Sequence, residues 1–532
     1  MPMDNTPVLV GVGQFTEHLD DPEYRGLSPQ ELATNAALRA LADAGAGEQL
    51  LACLDVVAAV RTVGDSVAPP MRKFMAPFGG SDNFPGSVAR RLGCEPARLV
   101  YSPACGDEPQ KLVGEFSEQI ALGNCRAALL VGAEAIATQR KAQAERRRLD
   151  WSESVPGPLE DRGRGTAQLK TRHMTDHKME MPATVYPLLD HARRSRLGLS
   201  REDYSQCIGE LFSGFARVAA DNPYAMSREA LTAADIAETG ERNRLIADPY
   251  TKAMVARDWV NQGAAVVLTS VGLARELGIA ENKWVYLHGY ADVSEQGVLD
   301  REDLGASPAL ALAYNNALQR AGKTIHDMQY LEIYSCFPIA VFAACDALDI
   351  ASDDPCGLTV TGGLPFFGGP GNNYSMHGIA SMVEKLRADP GSFGIVGANG
   401  GYLSKHSVGV YSTAAPERWR AWASRDLQEK IDALPVPEFN ESPKGWAGVE
   451  TYTVLYQKDR PVTAIVVGRL HLGGARFVAL TEDAETLQGM LAQDPLAANI
   501  FVRSYGIGNR FAFSEESLEI QFPASDSSPA PA

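Results

Sequence analysis

Two segments far apart in the chain follow the same local plan, and this internal repeat limits the fold more than any other feature. Ser28-Pro29 begins an amphipathic run that leads to the apolar stretch Val56–Val60. Ser307-Pro308 begins a similar run that leads to Tyr330–Tyr334. In both segments a serine cap and a proline in the first turn predict a helix start, and a glycine ends the helix before a strand.

A second pair of segments repeats this order of helix and strand. Lys111–Leu122 leads to the apolar stretch Ala127–Ala133, and Tyr374–Leu386 leads to Phe393–Ala398. Repeated units of this kind predict an α/β protein with two similar halves. Reactive groups are then expected in the loops at the carboxyl ends of the strands, where helix N-termini converge.

The pattern along the 532 residues divides the chain into five parts. The first half is predicted at residues 1–137 together with 249–270, and the second half at 271–415. Residues 138–248 between them are polar, basic and helical, and are predicted to form an inserted cap over the mouth of the core. Residues 435–522 hold short β-rich runs, which predict a small, mostly β, OB-like domain. The tail 523–532 is too small and polar to pack, so we expect it to be disordered.

Charge and cysteine usage argue against several classes of function. A net charge of −17 and a pI near 5.1 argue against nucleic-acid and membrane partners. The basic run Arg140–Arg148 is the exception, and it is either a solvated surface or a contact for a phosphate-bearing ligand. No apolar run reaches the roughly 18–20 residues of a membrane span. Eight scattered cysteines predict neither disulfides nor a metal site, which fits a cytoplasmic protein.

Cys105 is the leading candidate for chemistry because it lies between a strand and a helix. The positive end of a helix dipole favours a thiolate, which attacks acyl carbons. Asp107 and Glu108 act against this, since nearby carboxylates disfavour a thiolate. Asp107 is also a candidate helix cap, with Gln110 reaching back in a capping box. The two interpretations are a nucleophilic Cys105 and a buried, inert thiol.

Several motifs resemble the thiolase superfamily. Its nucleophile loop, Cys-Ala/Ser-Ser-Gly-x-Gln, is similar to Cys105 followed by Gln110, and its Gly-Gly-x-Glu strand end is similar to Val131–Glu134. Further similar segments occur in the family's order: Asp258–Val266, Tyr334–Phe337, Gly368–Pro370 and Ala398–Gly401. The resemblance covers about residues 5–413 and is strongest with sterol-carrier-protein-2-type thiolases and with thiolase-like type 1 proteins, which carry an added C-terminal domain.

The resemblance implies a fold and a reaction. The fold is the thiolase fold, with two similar βα halves in αβαβα layers, an inserted loop domain and a mostly β C-terminal domain. In the reaction, Cys105 takes an acyl group from a CoA thioester while a second group moves the proton of the donor's α-carbon. The substrates are then acyl-CoA and a small ketone or keto acid, with no permanently bound cofactor. Thiolases dimerise through the edge of a core sheet, so a homodimer is expected unless the added domain covers that edge.

Two positions depart from the family pattern. Gly369 stands where Gly-His-Pro has its histidine, and Ala398 stands where a second cysteine is expected. Both changes remove acid/base groups. Cys336, His406 and His377 are the candidate substitutes, and each also has a structural interpretation as a packed thiol, a strand-start histidine or an interior helical residue.

The remaining candidates concern the substrate's oxygens. Tyr334 replaces the family's Asn or His that holds an oxyanion-hole water, so its phenol either donates the same hydrogen bond or fills the space. Gly368, Gly369, Asn399, Gly400 and Gly401 are predicted to contact substrate, because glycine turns let backbone N–H groups approach a ligand.

The sequence thus predicts a thiolase-type acyltransferase that makes or cleaves a carbon–carbon bond beside a ketone, a Claisen-type step of lipid or ketone metabolism. The alternatives are a CoA-independent C-acyltransferase or retro-aldol lyase on the same fold, and a non-catalytic protein that binds acyl-CoA. Loss of two of the family's reactive groups favours the last of these.

Overall fold

The computed structural model describes residues 2–165, 169–421 and 424–523. The first part of the chain alternates strands and helices: β1 (Pro7–Thr16), α1 (Pro29–Ala44), α2 (Gly47–Leu51), β2 (Val56–Ala59), α3 (Val63–Ser66), α4 (Pro69–Met75), α5 (Phe84–Leu92), β3 (Arg98–Tyr101), α6 (Glu108–Ala121), β4 (Ala127–Ala135) and α7 (Ile136–Ala144). Ser28 caps α1 through a complete capping box with Glu31, as its sequence indicates.

The middle of the chain is mainly helical before it returns to the core. It contains β5 (Glu160–Asp161), α8 (Arg172–Asp176), α9 (Pro182–Leu197), α10 (Arg201–Asp221), α11 (Ala233–Ala237), β6 (Leu245–Ala247), β7 (Tyr250–Thr251), β8 (Asn261–Ser270) and α12 (Val271–Glu276). Helices α9 and α10 pack into the same hydrophobic cluster as the second half. The insertion is therefore joined to the core by continuous apolar packing.

The second half repeats the pattern, and a barrel follows it. The half contains β9 (Tyr286–Ser294), α13 (Pro308–Arg320), β10 (Tyr330–Glu332), α14 (Pro338–Leu348), α15 (Tyr374–Ala388), β11 (Phe393–Gly400) and β12 (Lys405–Ser412). The C-terminal part contains α16 (Arg425–Asp432), β13 (Lys444–Gln457), β14 (Arg460–Leu470), β15 (Arg476–Thr481), α17 (Ala484–Ala492), β16 (Asn499–Ser504), β17 (Asn509–Ala512) and α18 (Glu515–Gln521).

Two core sheets form the layers. The first has the order β1-β8-β4-β2-β3-β5, and the second has the order β10-β11-β12-β9. Helices α6 and α15 contribute to one apolar cluster with residues of both sheets, so they lie between the sheets. Helices α1 and α5 cover the outer face of the first sheet, and α13 and α14 cover that of the second. This is the αβαβα arrangement that the resemblance implies.

The C-terminal strands close on themselves. β13 pairs with both β14 and β16, and β15 and β17 complete the ring. The barrel therefore has five strands, as an OB-fold does. One residue pair, Leu455 with Ala247, continues the barrel sheet into β6 of the insertion. The predicted tail at 523–532 lies outside the described residues except for Pro523.

Some boundaries differ from the sequence patterns. The strand predicted at Tyr330–Tyr334 stops at Glu332, and helix α6 begins at Glu108 rather than Lys111. The buried Glu332 carboxylate accepts hydrogen bonds from the Val360 and Thr361 backbone N–H groups, which holds the neighbouring loop against the strand end. Tyr334 and Cys336 consequently lie in the loop before α14. In the described part of the chain, no helix is long and apolar enough to cross a membrane.

Candidate active site

Cys105 lies in the connection between β3 and the first turn of α6, where the sequence places it. Its side chain is buried, with 3% of the residue exposed. Asp107 occupies the N-cap position of α6, but its side chain makes no capping hydrogen bond. The side-chain Oε1 of Gln110 instead accepts a hydrogen bond from the Tyr411 hydroxyl at 2.6 Å. The predicted capping box at this helix is therefore wrong, because Gln110 lies between the two sheets and is recruited by tertiary packing.

The surroundings of Cys105 favour a neutral thiol. Burial raises its pKa well above the usual value, and the nearby Asp107 carboxylate raises it further. Burial, followed by the Asp107 charge, also raises the pKa of Glu108 to about 8. Lys405 acts in the opposite direction on both groups. Thus the helix dipole does not produce the expected thiolate, and attack by this sulfur requires a base.

Both halves of the molecule meet at Cys105. A Cβ atom placed on Gly400, at the end of β11, would overlap the Cys105 sulfur and lie 2.7 Å from Oδ1 of Asp107. A Cβ placed on Gly106 would overlap both the Asn399 carbonyl oxygen and the Tyr334 hydroxyl. Contacts this close require glycine at both positions. The structure therefore brings Cys105, Tyr334, Asn399 and Gly400 together at one point, and we call these four residues the central cluster.

A methyl group at position 400 tests this packing. We expect Gly400→Ala to lower the free energy of unfolding by about 1–3 kcal/mol, because the cysteine sulfur and the Gly106 backbone must move. Gly240→Ala is the matched control, since a Cβ there meets no atom within 4 Å. Urea denaturation of the two variants measures the difference. Equal unfolding midpoints would show that the sulfur does not lie against Gly400.

Cys336 lies at the edge of the central cluster. Its sulfur is 3.6 Å from Nδ2 of Asn399, and burial raises its pKa to about 12. The same Asn399 amide donates to the hydroxyl of Tyr186 at 2.9 Å. The Tyr186 hydroxyl also accepts from the Leu403 N–H and donates to the Gly401 carbonyl. Asn399 therefore contacts Cys336 on one side and belongs to the central cluster around Cys105 on the other.

Tyr186 is the residue near the centre that motif reasoning missed. It lies on α9 of the insertion, and its place in the 3.6-residue apolar pattern indicates core packing. Its ring does stack on Phe337, with centroids 4.3 Å apart. The hydroxyl nevertheless fixes the Asn399–Gly401 turn. A tyrosine in an otherwise aliphatic run is a weak signal that one end of the side chain meets a polar partner.

The two candidate histidines hydrogen-bond elsewhere. His377 interacts through Nδ1 with Oε1 of Gln14 at 2.8 Å, and His406 interacts through Nε2 with the Ser307 hydroxyl at 3.2 Å. Burial lowers the pKa of each to about 3, with Arg301 adding to the effect at His406. Both rings are therefore neutral at pH 7. Their hydrogen bonds fit the structural interpretations that the sequence left open.

The predicted substrate-binding glycines divide into two groups. Gly400 lies against the sulfur of Cys105, and the Gly401 carbonyl accepts a hydrogen bond from the Tyr186 hydroxyl. Gly368 adopts φ +113° and packs against Val260 and Gln262, while the Gly369 N–H donates to the Arg257 carbonyl at 2.7 Å. The contacts of Gly368 and Gly369 hold the loop before α15 against the segment that leads into β8. Among the described residues, no group of three His, Cys, Asp or Glu side chains is arranged to hold a metal ion.

Comparison with known proteins agrees with this architecture. The model of the thiolase-like protein type 1 additional C-terminal domain matches residues 426–506. No curated protein matches the chain significantly. The dimeric peroxisomal thiolase of Saccharomyces cerevisiae is 13% identical, with a TM-score of 0.55 over 77% of this chain and 98% of the thiolase. The Ltp2-ChsH2(DUF35) aldolase is 17% identical, with a TM-score of 0.57 over 77% of this chain and 99% of the aldolase chain. At these identities the likeness shows the thiolase fold.

A much nearer relative is a monomeric SCP2-thiolase like protein type 1 from Mycobacterium smegmatis. Its crystal structure is 41% identical to this chain, with a TM-score of 0.83. The match covers 97% of this chain and 100% of the relative, so it includes both halves, the insertion and the barrel. The chain therefore belongs to the SCP2-thiolase-like type 1 proteins of the thiolase superfamily.

Proposed function

We propose that this chain transfers an acyl group from a CoA thioester through Cys105, in making or cleaving a carbon–carbon bond beside a ketone. The observation that carries the proposal is the convergence of Cys105 with Tyr334, Asn399 and Gly400 from the other half. A thiol at a helix start, with a carboxylate at the N-cap of that helix and a phenol from the other half beside it, supplies the nucleophile, base and oxyanion donor that covalent acyl transfer uses. Thiolase relatives with this fold support the reaction class.

The proton of the thiol goes to Asp107 in this proposal. Its Oδ1 atom is buried and has no hydrogen-bond partner among the described residues. As the sulfur attacks the thioester carbonyl, Asp107 takes the thiol proton, a new carbon–sulfur bond forms, and the bond to the CoA sulfur breaks. The CoA thiolate leaves and takes up the proton. The Tyr334 phenol, whose pKa burial raises well above its usual value, stays protonated and donates to the thioester oxygen.

The second half-reaction involves the acyl acceptor. Cys336 is the remaining thiol beside Asn399, and its pKa of about 12 keeps it protonated. In the proposed cleavage direction Cys336 gives its proton to the α-carbon of the departing enolate, and the resulting thiolate takes the proton of the CoA thiol that attacks the acyl-enzyme. In condensation the same proton transfers run in reverse. Tyr186 holds Asn399 between the two thiols and acts as a positioning residue.

A covalent adduct tests the proposal directly. The wild-type protein is incubated with acetyl-CoA and with a longer acyl-CoA, and its intact mass is measured. We expect a mass increase of one acyl group that is absent in Cys105→Ala. Cys125→Ala is the matched control, because Cys125 is equally buried but lies away from the central cluster, beside β4. An adduct that persists in Cys105→Ala would remove the proposal.

A retro-aldol reaction is the second candidate, and the Tyr334 hydroxyl favours it. No described residue forms a hydrogen bond with this hydroxyl, so it is available to donate to an enolate oxygen. In the retro-aldol step Asp107 takes the proton of the substrate's β-hydroxyl, the bond between the α- and β-carbons breaks, and the acyl-CoA enolate takes up that proton, so no cysteine acyl-enzyme forms. One relative of the same fold is an aldolase. Release of a ketone or aldehyde from a β-hydroxyacyl-CoA without added CoA separates the two reactions: Tyr334→Phe should stop it and Cys105→Ala should not. Tight acyl-CoA binding without adduct or turnover would instead support a non-catalytic role.

A further inference from the structure

A second cavity lies in the first half and includes none of the predicted catalytic residues. It encloses about 230 Å³ between α4, the start of α5, the end of β4 and α7. Glu134 and Gln30 contribute polar side chains to its lining, and Phe74, Phe84 and Trp151 contribute aromatic ones. The cavity is therefore partly open to solvent and lined by residues other than those of the central cluster.

Two side-chain acceptors of the lining residues lack donors in the described structure. Glu134 is 5% exposed; its Oε1 accepts from the Val63 N–H at 2.6 Å, and no described residue is hydrogen-bonded to its Oε2. Gln30 is 1% exposed and donates its amide to the Trp151 carbonyl, which fixes the orientation of the side chain. The Gln30 Oε1 atom has no partner in the described structure. Acceptors in the interior normally have donors, so a ligand with N–H groups would satisfy the free oxygen of Glu134.

The charges around the cavity leave one carboxyl group uncompensated. Asp65 is paired with Arg72 at 2.7 Å, and Asp258 is paired with Arg140. Among the described residues, Glu134 forms no ion pair. Burial, and then the charges of Asp65 and Asp258, raises the pKa of Glu134 to about 8. A monovalent cation placed beside Glu134 would balance this carboxylate and reverse that effect.

The walls suit the apolar part of such a ligand. The ring of Phe84 is buried and stacked on Tyr101, and Trp151 contacts Phe78 edge-to-face, so both rings are held in place. Phe74 on α4 is 62% exposed and lies at the rim. Aromatic rings around a carboxylate are a common setting for organic cations.

We infer that this cavity binds a small organic ammonium compound, whose N–H groups donate to Glu134 and whose apolar body lies among Phe74, Phe84 and Trp151. The inference is independent of the proposed acyl transfer, because Cys105, Tyr334, Cys336 and Asn399 do not line the cavity.

Calorimetric titration of the full chain with 2-phenylethylammonium tests the inference, and 2-phenylethanol serves as the uncharged comparison. We expect saturable binding of the ammonium compound only. Its affinity should rise about tenfold per pH unit from pH 6 to pH 8, because the free Glu134 carboxyl holds a proton below its pKa and only the carboxylate pairs with the cation. A primary ammonium group stays charged throughout this range.

Variants locate the binding. Glu134→Gln keeps an acceptor for the Val63 N–H, and it should weaken binding at pH 8 at least about tenfold and abolish the pH dependence. Glu276→Gln, at an exposed position, is the matched control. Gly80→Leu should also block binding by filling the cavity; a Cβ there meets only Arg72, at 3.7 Å. The inference is overturned if the ammonium compound shows no saturable binding, if the alcohol binds equally well, or if Glu134→Gln binds like the wild type.

Discussion

Asp107→Asn is expected to slow acylation of Cys105 by about 10²–10⁴-fold, the usual loss when a general base is removed. The same change should make the thiol more reactive toward iodoacetamide, because the Asp107 charge is one of the causes that raise its pKa. These opposite effects distinguish a base from a carboxylate that merely suppresses the thiolate. Single-turnover acylation followed by mass spectrometry measures the first rate, and alkylation over a pH series measures the second.

Glu108→Gln is the matched control for this experiment. Glu108 also raises the pKa of Cys105, but less than Asp107 does. Its substitution should increase alkylation modestly without slowing acylation. If Asp107→Asn accelerates both acylation and alkylation, the carboxylate is not the base and the proposed proton transfer is wrong.

The second large effect concerns the attachment of the barrel. Arg476→Met is expected to lower the free energy of unfolding by about 3–5 kcal/mol, as loss of one member of a buried ion pair does. The Arg476 guanidinium is fully buried, pairs with Glu450 and donates to the Leu299 and Glu302 carbonyls at 3.0 and 2.9 Å. The substitution leaves the two backbone carbonyls without donors and removes the buried partner of Glu450 at the boundary between barrel and core.

Arg469→Met provides the comparison for Arg476. Arg469 pairs with Glu302 and with the same Glu450, but 36% of its side chain is exposed, so its loss should cost about 0–1 kcal/mol. Chemical denaturation of both variants, with the wild type alongside, measures the difference. Equal small losses would show that the barrel does not depend on Arg476 for its attachment to the second half.

The sequence predicted the features that depend on interactions between residues close together in the chain. Ser28 and Ser307 cap α1 and α13, with proline following each, because a cap acts on N–H groups only a few residues away. The paired helix-and-strand units predicted an α/β protein with two similar halves, and the motif resemblance implied the layered thiolase fold. The structural relatives confirm that fold. Gln110 does not follow its local pattern, because its side chain accepts a hydrogen bond from Tyr411 in β12 and forms no cap on α6.

Tertiary packing decided which side chains lie near Cys105 and whether its thiol is ionised. Motif order placed Cys105, Tyr334 and Cys336 in loops but could not distinguish them from His377 and His406, which packing directs to Gln14 and Ser307. Tyr186 reaches Asn399 only because the insertion folds back onto the second half. Burial and neighbouring carboxylates outweigh the helix dipole at Cys105. Local patterns thus located the repeated helices and strands, although the end of β10 and the start of α6 differ from them. Desolvation and contacts between distant segments depend on the assembled core, and they decided which side chains meet and which carry charge.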